Sequence, residues 1–522
     1  MTNEFHTEYQ YDRCTSRGIC SINPTTSSLQ EVILLYLRHA AYYGLQFEKK
    51  GIKNKIIRNL ILNTLSILSS NYEISERNFE IINSAFQKEL PVILKEYKES
   101  FDNKQLLETE KLLNSAKTIN EYIRFGEKEF NKRIRNMEAK DRNLYRILFI
   151  LTKSLCVNIL TYESFGQDAE EEILSAFEVL DLLNSVQKNR ENIKEFISNI
   201  AKKDCELMKN IRLIQEKEYG KQEECEVSFS TQKSKAVLVV GTNLKELEKI
   251  LDEFQEKDID IYTHDNMILA HTFPKLRKYK NLKGQFGQGM ENCLLDFSTF
   301  PGPIILTRNS LFNIENLYRG RLFTTDFAYS KGVIPIKNND YSGVIISAEE
   351  SKGFKTGKTC PKEKIGFSLE SALNTINKKL ENKNFEQIIL IGIDGYSIEE
   401  KEYFKTLLQR IPQNILIISL SCCQSKDNII CLNASFDNTS MIRLTEEITK
   451  ITKKKMTLFF PYSDRHTLSS ILYLSRINTN KTFVGKWNQT IINPNIMKGL
   501  KEDFNILELS TPKNDLDCIT NS

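Results

Sequence analysis

At 522 residues the chain is long enough for about three domains of ordinary size, and 40% hydrophobic against 27% charged residues is the balance of a globular protein with a sizeable core. A net charge of +4 over this length excludes the basic excess of a nucleic-acid or anionic-membrane binder. The polar stretch from Met1 to Gln10 has no apolar signal region, so the expected location is the cytoplasm, where 11 cysteines are core thiols, metal ligands or redox groups.

Asn23-Pro24 is a helix start, with Asn capping free N–H groups and Pro fitting the first turn. Leu29, Ile33, Tyr36 and Leu37 recur at helical spacing, and Gly44 is expected to end this helix. Amphipathic segments follow at 56–68, 76–97, 120–137, 144–160, 170–187 and 193–215, with few Gly or Pro between them. The window 147–160 is apolar but broken by Lys153 and flanked by Arg146. A membrane span wants about 20 uncharged residues, so this window reads as a buried core helix. The charged stretch from Glu216 to Glu226 is expected to be a linker.

Ala236 to Val240 is a continuous apolar run, the mark of a strand buried on both faces. Gly241 follows, then a helix with Leu244, Leu247, Ile250, Leu251 and Phe254 on one face, then a second strand at Ile259-Asp260-Ile261-Tyr262. Strand, turn, helix, strand is the unit of a parallel sheet. The pattern restarts near Leu369 with a helix to Leu380, a strand at 388–391, a turn from Gly392 to Gly395 and a capping box of Ser397 and Glu400. Further strands are expected at 415–420 and 456–460. The expected architecture is multidomain α plus α/β: a helical bundle over 1–225, then two Rossmann-like parallel-sheet domains over 226–367 and 368–522.

Generic catalytic signatures are absent. Gly241-Thr242-Asn243 lacks the later glycines of a dinucleotide fingerprint. The segment from Gly353 to Thr359 ends in Gly-Lys-Thr, but the glycine spacing of a phosphate loop is one residue short and no apolar strand abuts it. The histidines are His6, His39, His264, His271 and His466, and any base or imidazole ligand has to come from these.

A series of short segments carries more information than any one motif. In chain order it runs through Cys14-Thr15-Ser16-Arg17-Gly18-Ile19-Cys20, Tyr262-Thr263-His264, Leu269-Ala270-His271 and Phe300-Pro301-Gly302-Pro303-Ile304. Arg321-Leu322-Phe323-Thr324-Thr325, Asp394-Gly395, Leu420-Ser421-Cys422 and Ile471-Leu472-Tyr473-Leu474 continue it. In this order the segments resemble the hybrid-cluster protein (prismane, hydroxylamine reductase) family from Cys14 to about Ile506. The resemblance implies one helical and two Rossmann-like domains, a cubane iron–sulfur cluster near the N-terminus, and a hybrid iron–sulfur–oxygen cluster where the domains meet. It also implies an oxidoreductase acting on hydroxylamine or related nitrogen oxides, since an iron site open to substrate can reduce them.

The family holds its hybrid cluster with a His, two Glu and four Cys. By the same resemblance those positions are Thr242, Asn266, Ser310, Ile393, Cys422, Ser435 and Ser463 here. Asn, Ser and Thr are poor iron ligands, Ile has no donor, and a lone Cys422 cannot hold a cluster. The hybrid cluster is therefore expected to be absent; His264, Asp265, Cys431 and Asp437 are the nearby groups that could substitute. Cys14 and Cys20 match the third and fourth cubane ligands, while Phe5-His6 and Tyr9 stand where the first two would be. Two such pairs on a two-fold axis could hold one 4Fe-4S cluster between the subunits of a homodimer; left alone, they are a thiol pair. Three readings stay open: a hydroxylamine reductase-like enzyme, a non-catalytic binding or regulatory protein with a redox or family-enzyme partner, and an electron carrier. No nucleic-acid or membrane partner is expected.

Overall fold

The computed structural model describes residues 24–520 except 70–73, 102–105, 136, 184–189, 288–291, 311–316, 394–397, 422–425, 435–436, 453, 455, 478 and 487–493. The described residues form two units, the first running to Ile200 and including Asp326–Pro335, the second holding the rest.

Helices Pro24–Glu48, Lys55–Leu68, Glu76–Ser100, Ile119–Arg135, Ala139–Ser164 and Glu170–Leu182 build the first unit, with a short helix at Thr109–Leu113. Local chemistry fixes their starts. Asn54 accepts the Ile57 N–H at 3.0 Å, and Ser75 and Asn78 cap each other reciprocally at 3.2 Å. Gly44 does not end the first helix, contrary to expectation. A Cβ there would lie 2.8 Å from the Phe177 ring, so the glycine admits a neighbouring helix at close range while its own helix runs on to Glu48. Tyr43, Tyr97 and Phe101 pack as tilted rings, with centroids 4.9 and 4.6 Å apart. Lys140–Ser164 is long and apolar enough to cross a membrane by composition alone. Most of its apolar window, 72%, is buried within the protein, as befits a core helix.

The strands in chain order are β1 (Cys225–Ser228), β2 (Lys235–Val240), β3 (Ile259–His264), β4 (Leu282–Gln285), β5 (Ile304–Leu306), β6 (Leu322–Thr324) and β7 (Val333–Pro335). They continue with β8 (Lys362–Ile365), β9 (Gln387–Ile391), β10 (Ile415–Ser419), β11 (Ile429–Cys431), β12 (Met456–Phe460), β13 (Thr479–Val484) and β14 (Leu507–Glu508). The stretch read as a linker is structured. Helix Arg190–Tyr219 runs into it, and β1 pairs antiparallel with β8, Cys225 opposite Ile365. Only Cys225 and Val227 of β1 are buried, so the apolar alternation is too short to show among the charges.

Strands β4-β3-β2-β5-β6 lie parallel in that order, and helix Leu244–Glu253 crosses from β2 to β3. The second parallel sheet runs β11-β10-β9-β12-β13-β14, with Phe459 stacked on Phe483 at 4.9 Å. Each sheet winds outward in both directions from its middle. The direction reverses between β2 and β5 in one, and between β9 and β12 in the other. Ligand sites in such sheets form at the carboxyl ends of the strands flanking the reversal.

Candidate functional site

At the first reversal, β2 ends in Gly241 with φ +127°, a conformation that only glycine takes without strain. A Cβ there would meet Ser310 Oγ at 2.0 Å and Thr307 Oγ1 at 2.1 Å. The loop after β5 is folded onto it: Thr307 donates to the Val240 carbonyl through both N–H and hydroxyl, at 3.0 and 2.8 Å. Thr307 Oγ1 and Ser310 Oγ lie 3.3 Å apart. Gly241 and Ser310 thus meet across the reversal; Ser310 is buried, while Thr242, which follows Gly241, is exposed.

Next along the sheet, β3 ends in His264, and Asp265 and Asn266 open the short helix that follows. His264 is fully buried, its Nε2 3.0 Å from Asp296 Oδ2 and its ring edge-on to Phe297. Its Nδ1, and Asn266 Oδ1, are buried with no hydrogen-bond partner among the described residues. Asp265 takes φ +58° and is buried. Burial pushes its carboxyl above the usual range, with Asp464 adding to the rise and His264 opposing it. Burial also pushes the Cys293 thiol up to about 11, with Asp265 and Asp296 reinforcing it. His271 has a structural place instead. Its Nε2 is 2.9 Å from Thr263 Oγ1, and burial, then Arg277, lowers it to about 4.

At the second reversal Ile393 follows β9 and Ser463 follows β12, both buried. The loop after β9 meets β12 through the Gly392 N–H, which donates to the Phe459 carbonyl at 2.8 Å. Asp464 caps helix Arg465–Leu474, accepting from the Thr467 N–H at 2.7 Å and from its hydroxyl at 2.9 Å. Asp437, considered above as a substitute ligand, is committed elsewhere. Arg212 donates to both its oxygens, at 2.7 and 3.0 Å, and Asp437 also caps helix Asn438–Ile451. Burial alone would raise its carboxyl; the Arg212 charge and the capping hydrogen bonds hold it below the usual range.

Thr242 follows the glycine that meets Ser310, Ile393 follows the glycine bonded to Phe459 of β12, and Asn266 comes just after β3. Cys14, Cys20, Cys422 and Ser435 lie outside the described residues. Three hydroxyls, an amide and an alkyl group do not fit a cluster held by thiolates. No group of three His, Cys, Asp or Glu side chains among the described residues is placed to hold a metal ion. Sequence reasoning missed Cys293, Asp296 and Asp464. The Asp464-to-Thr467 spacing is a helix cap legible in the sequence; the other two have no local signal.

Residues 10–434 match the family described as Prismane/CO dehydrogenase. The hydroxylamine reductase of Thermodesulfovibrio yellowstonii is 24% identical over 533 residues, covering 96% of this chain and 97% of that protein. That of Methanocella arvoryzae is 24% identical over 540 residues, covering 97% of each. Among solved structures, carbon monoxide dehydrogenase IV from Carboxydothermus hydrogenoformans aligns with a TM-score of 0.50 at 11% identity, covering 97% of this chain and 88% of that one. That last likeness is one of fold.

Proposed function

This chain belongs to the Prismane/CO dehydrogenase family, and from that premise we propose that it is a cytoplasmic member that keeps the fold of the hydroxylamine reductases without their reaction. The observation that carries this reading is the donor set at the two sheet reversals. Where the family resemblance puts cluster ligands, the described residues are Thr242, Asn266, Ser310, Ile393 and Ser463. Reducing hydroxylamine on a hybrid cluster requires thiolates to hold the irons and an open iron to take the substrate. Ser310 is instead tied into the Gly241–Thr307 contact, and Ile393 is buried. Of the nearby groups, Asp437 balances Arg212, and His264 Nε2 pairs with Asp296.

What remains is a scaffold suited to binding, assembly or regulation. A single 4Fe-4S cluster shared through Cys14 and Cys20 of two subunits would make it an electron carrier, and this reading is separated by its own stoichiometry. The test is hydroxylamine reduction by protein reconstituted anaerobically with iron and sulfide. Negligible turnover is expected; turnover comparable with that of the Thermodesulfovibrio yellowstonii relative overturns the proposal.

A further inference from the structure

The second sheet carries a contact between an amine and a thiol that the site above does not use. Helix Pro512–Thr520 is the last described element. Its Ile519 is buried in one core cluster with Phe483 of β13, and Leu516 and Cys518 pack against that cluster. Lys481 stands two residues before Phe483 on β13 and so projects from the same face of the sheet. Its amine reaches the last turn of the helix. There it donates to the Cys518 carbonyl and, at 3.1 Å, to the Cys518 sulfur. A cation on the last carbonyls of a helix is ordinary capping. The contact with the sulfur is more than capping requires.

The fold holds this pair together by means other than its own attraction. Tyr403 donates to Asp515 Oδ2 at 2.6 Å, and the Ser510 N–H donates to the same oxygen at 2.8 Å. The Gln387 side chain donates to the Ile519 carbonyl at 3.1 Å. Lys481 and Cys518 are both partly exposed. A small oxidant can therefore reach the sulfur, and the ammonium can release a proton to water. Cys156, Cys205 and Cys225, by contrast, are buried.

We propose that Lys481 and Cys518 form an oxidation site, at which hydrogen peroxide joins them through a reversible sulfur–nitrogen bond. In the first step the sulfur attacks peroxide. An S–O bond forms, the O–O bond breaks and two electrons pass from sulfur to peroxide, leaving a sulfenic acid and one water. In the second step the Lys481 amine, its extra proton given to solvent, attacks that sulfur. An S–N bond forms, the S–O bond breaks, and the sulfenic oxygen leaves as water with a proton from the amine. The product fastens the terminal helix to β13 across 37 residues of chain. A thiol reverses it by displacing the amine to give a mixed disulfide, from which a second thiol restores Cys518.

Peptide mapping of the full chain after peroxide treatment, with digestion in the absence of reductant, tests this. The expected product is a linked pair of peptides containing Lys481 and Cys518. It should be lighter by two hydrogens than the sum of the separate peptides and should disappear on treatment with dithiothreitol. Lys481→Arg keeps a cation at the helix end but offers a poor nucleophile. It should give no link, and its Cys518 should run on to the sulfinic and sulfonic acids. Circular dichroism verifies that this variant is folded, and mapping of the parent protein carries the test if it is not. The proposal is overturned if oxidised parent protein yields Cys518 only in forms without Lys481. A linked pair that retains an oxygen also overturns it, since the bond is then not sulfur to nitrogen. So does a folded Lys481→Arg variant whose Cys518 resists over-oxidation as well as the parent's.

Discussion

Arg212 and Asp437 are both buried, and each has its charge balanced mainly by the other. Replacing the guanidinium by an alkyl chain leaves a carboxylate in the interior with two capping bonds and no counter-charge. Arg212→Met should therefore destabilise the second unit by about 3–5 kcal/mol, read by chemical denaturation. His271 gives a pH dependence of defined sign. Its folded pKa is depressed to about 4 by burial, with Arg277 adding, from an ordinary value near 6.5. Between those values the unfolded chain binds a proton that the folded chain refuses, so stability rises with pH. The contribution is complete above about 6.5 and is lost as the pH falls toward 4; a difference of this size is worth about 3 kcal/mol. Denaturation at pH 7 and 4.5 should show a smaller loss in His271→Gln, which keeps a polar group near Thr263 and does not titrate. An equal loss in both proteins would contradict this. Neither residue's role was legible beforehand. Arg212 meets its partner 225 residues away, and no local pattern encodes such a pair.

Gly241 is the point at which β2, the Thr307–Ser310 loop and the sheet reversal meet. Gly241→Ala combines a left-handed backbone with a Cβ at 2.0–2.1 Å from two hydroxyls, and should cost well over the ~1–2 kcal/mol of the backbone term alone. Gly166 also has positive φ, +76°, but nothing within 4 Å of its Cβ position. Gly166→Ala should cost only the backbone term, and equal effects in the two variants would show that the Ser310 contact carries no weight. At this scale the sequence was informative where burial is two-sided. The run at Ala236–Val240 could hardly be anything but a central strand, and the long helices fell near their observed bounds. It was uninformative where burial is brief, as in β1, or where a glycine serves packing and not termination, as at Gly44. Both follow from contacts with remote elements, which periodicity along one segment does not register.

For the whole molecule, the family was legible in the order of its short segments along the chain, and residues 10–434 match the Prismane/CO dehydrogenase family. The contact of Gly241 with Ser310, and of Gly392 with Phe459 of β12, was not contained in any segment. It arises from the sheet order, which brings strand ends separated by more than 60 residues to one reversal. The donor types at those positions carry the central proposal, that the family's hybrid cluster has no ligand set here. Iron and acid-labile sulfide per chain, measured on protein reconstituted and purified anaerobically, test it most directly. The expected result is no iron, or about two irons per chain if Cys14 and Cys20 share one 4Fe-4S cluster between subunits, in which case Cys14→Ser should abolish the iron and weaken the dimer together. About eight irons per chain, enough for a cubane and a hybrid cluster, would contradict it.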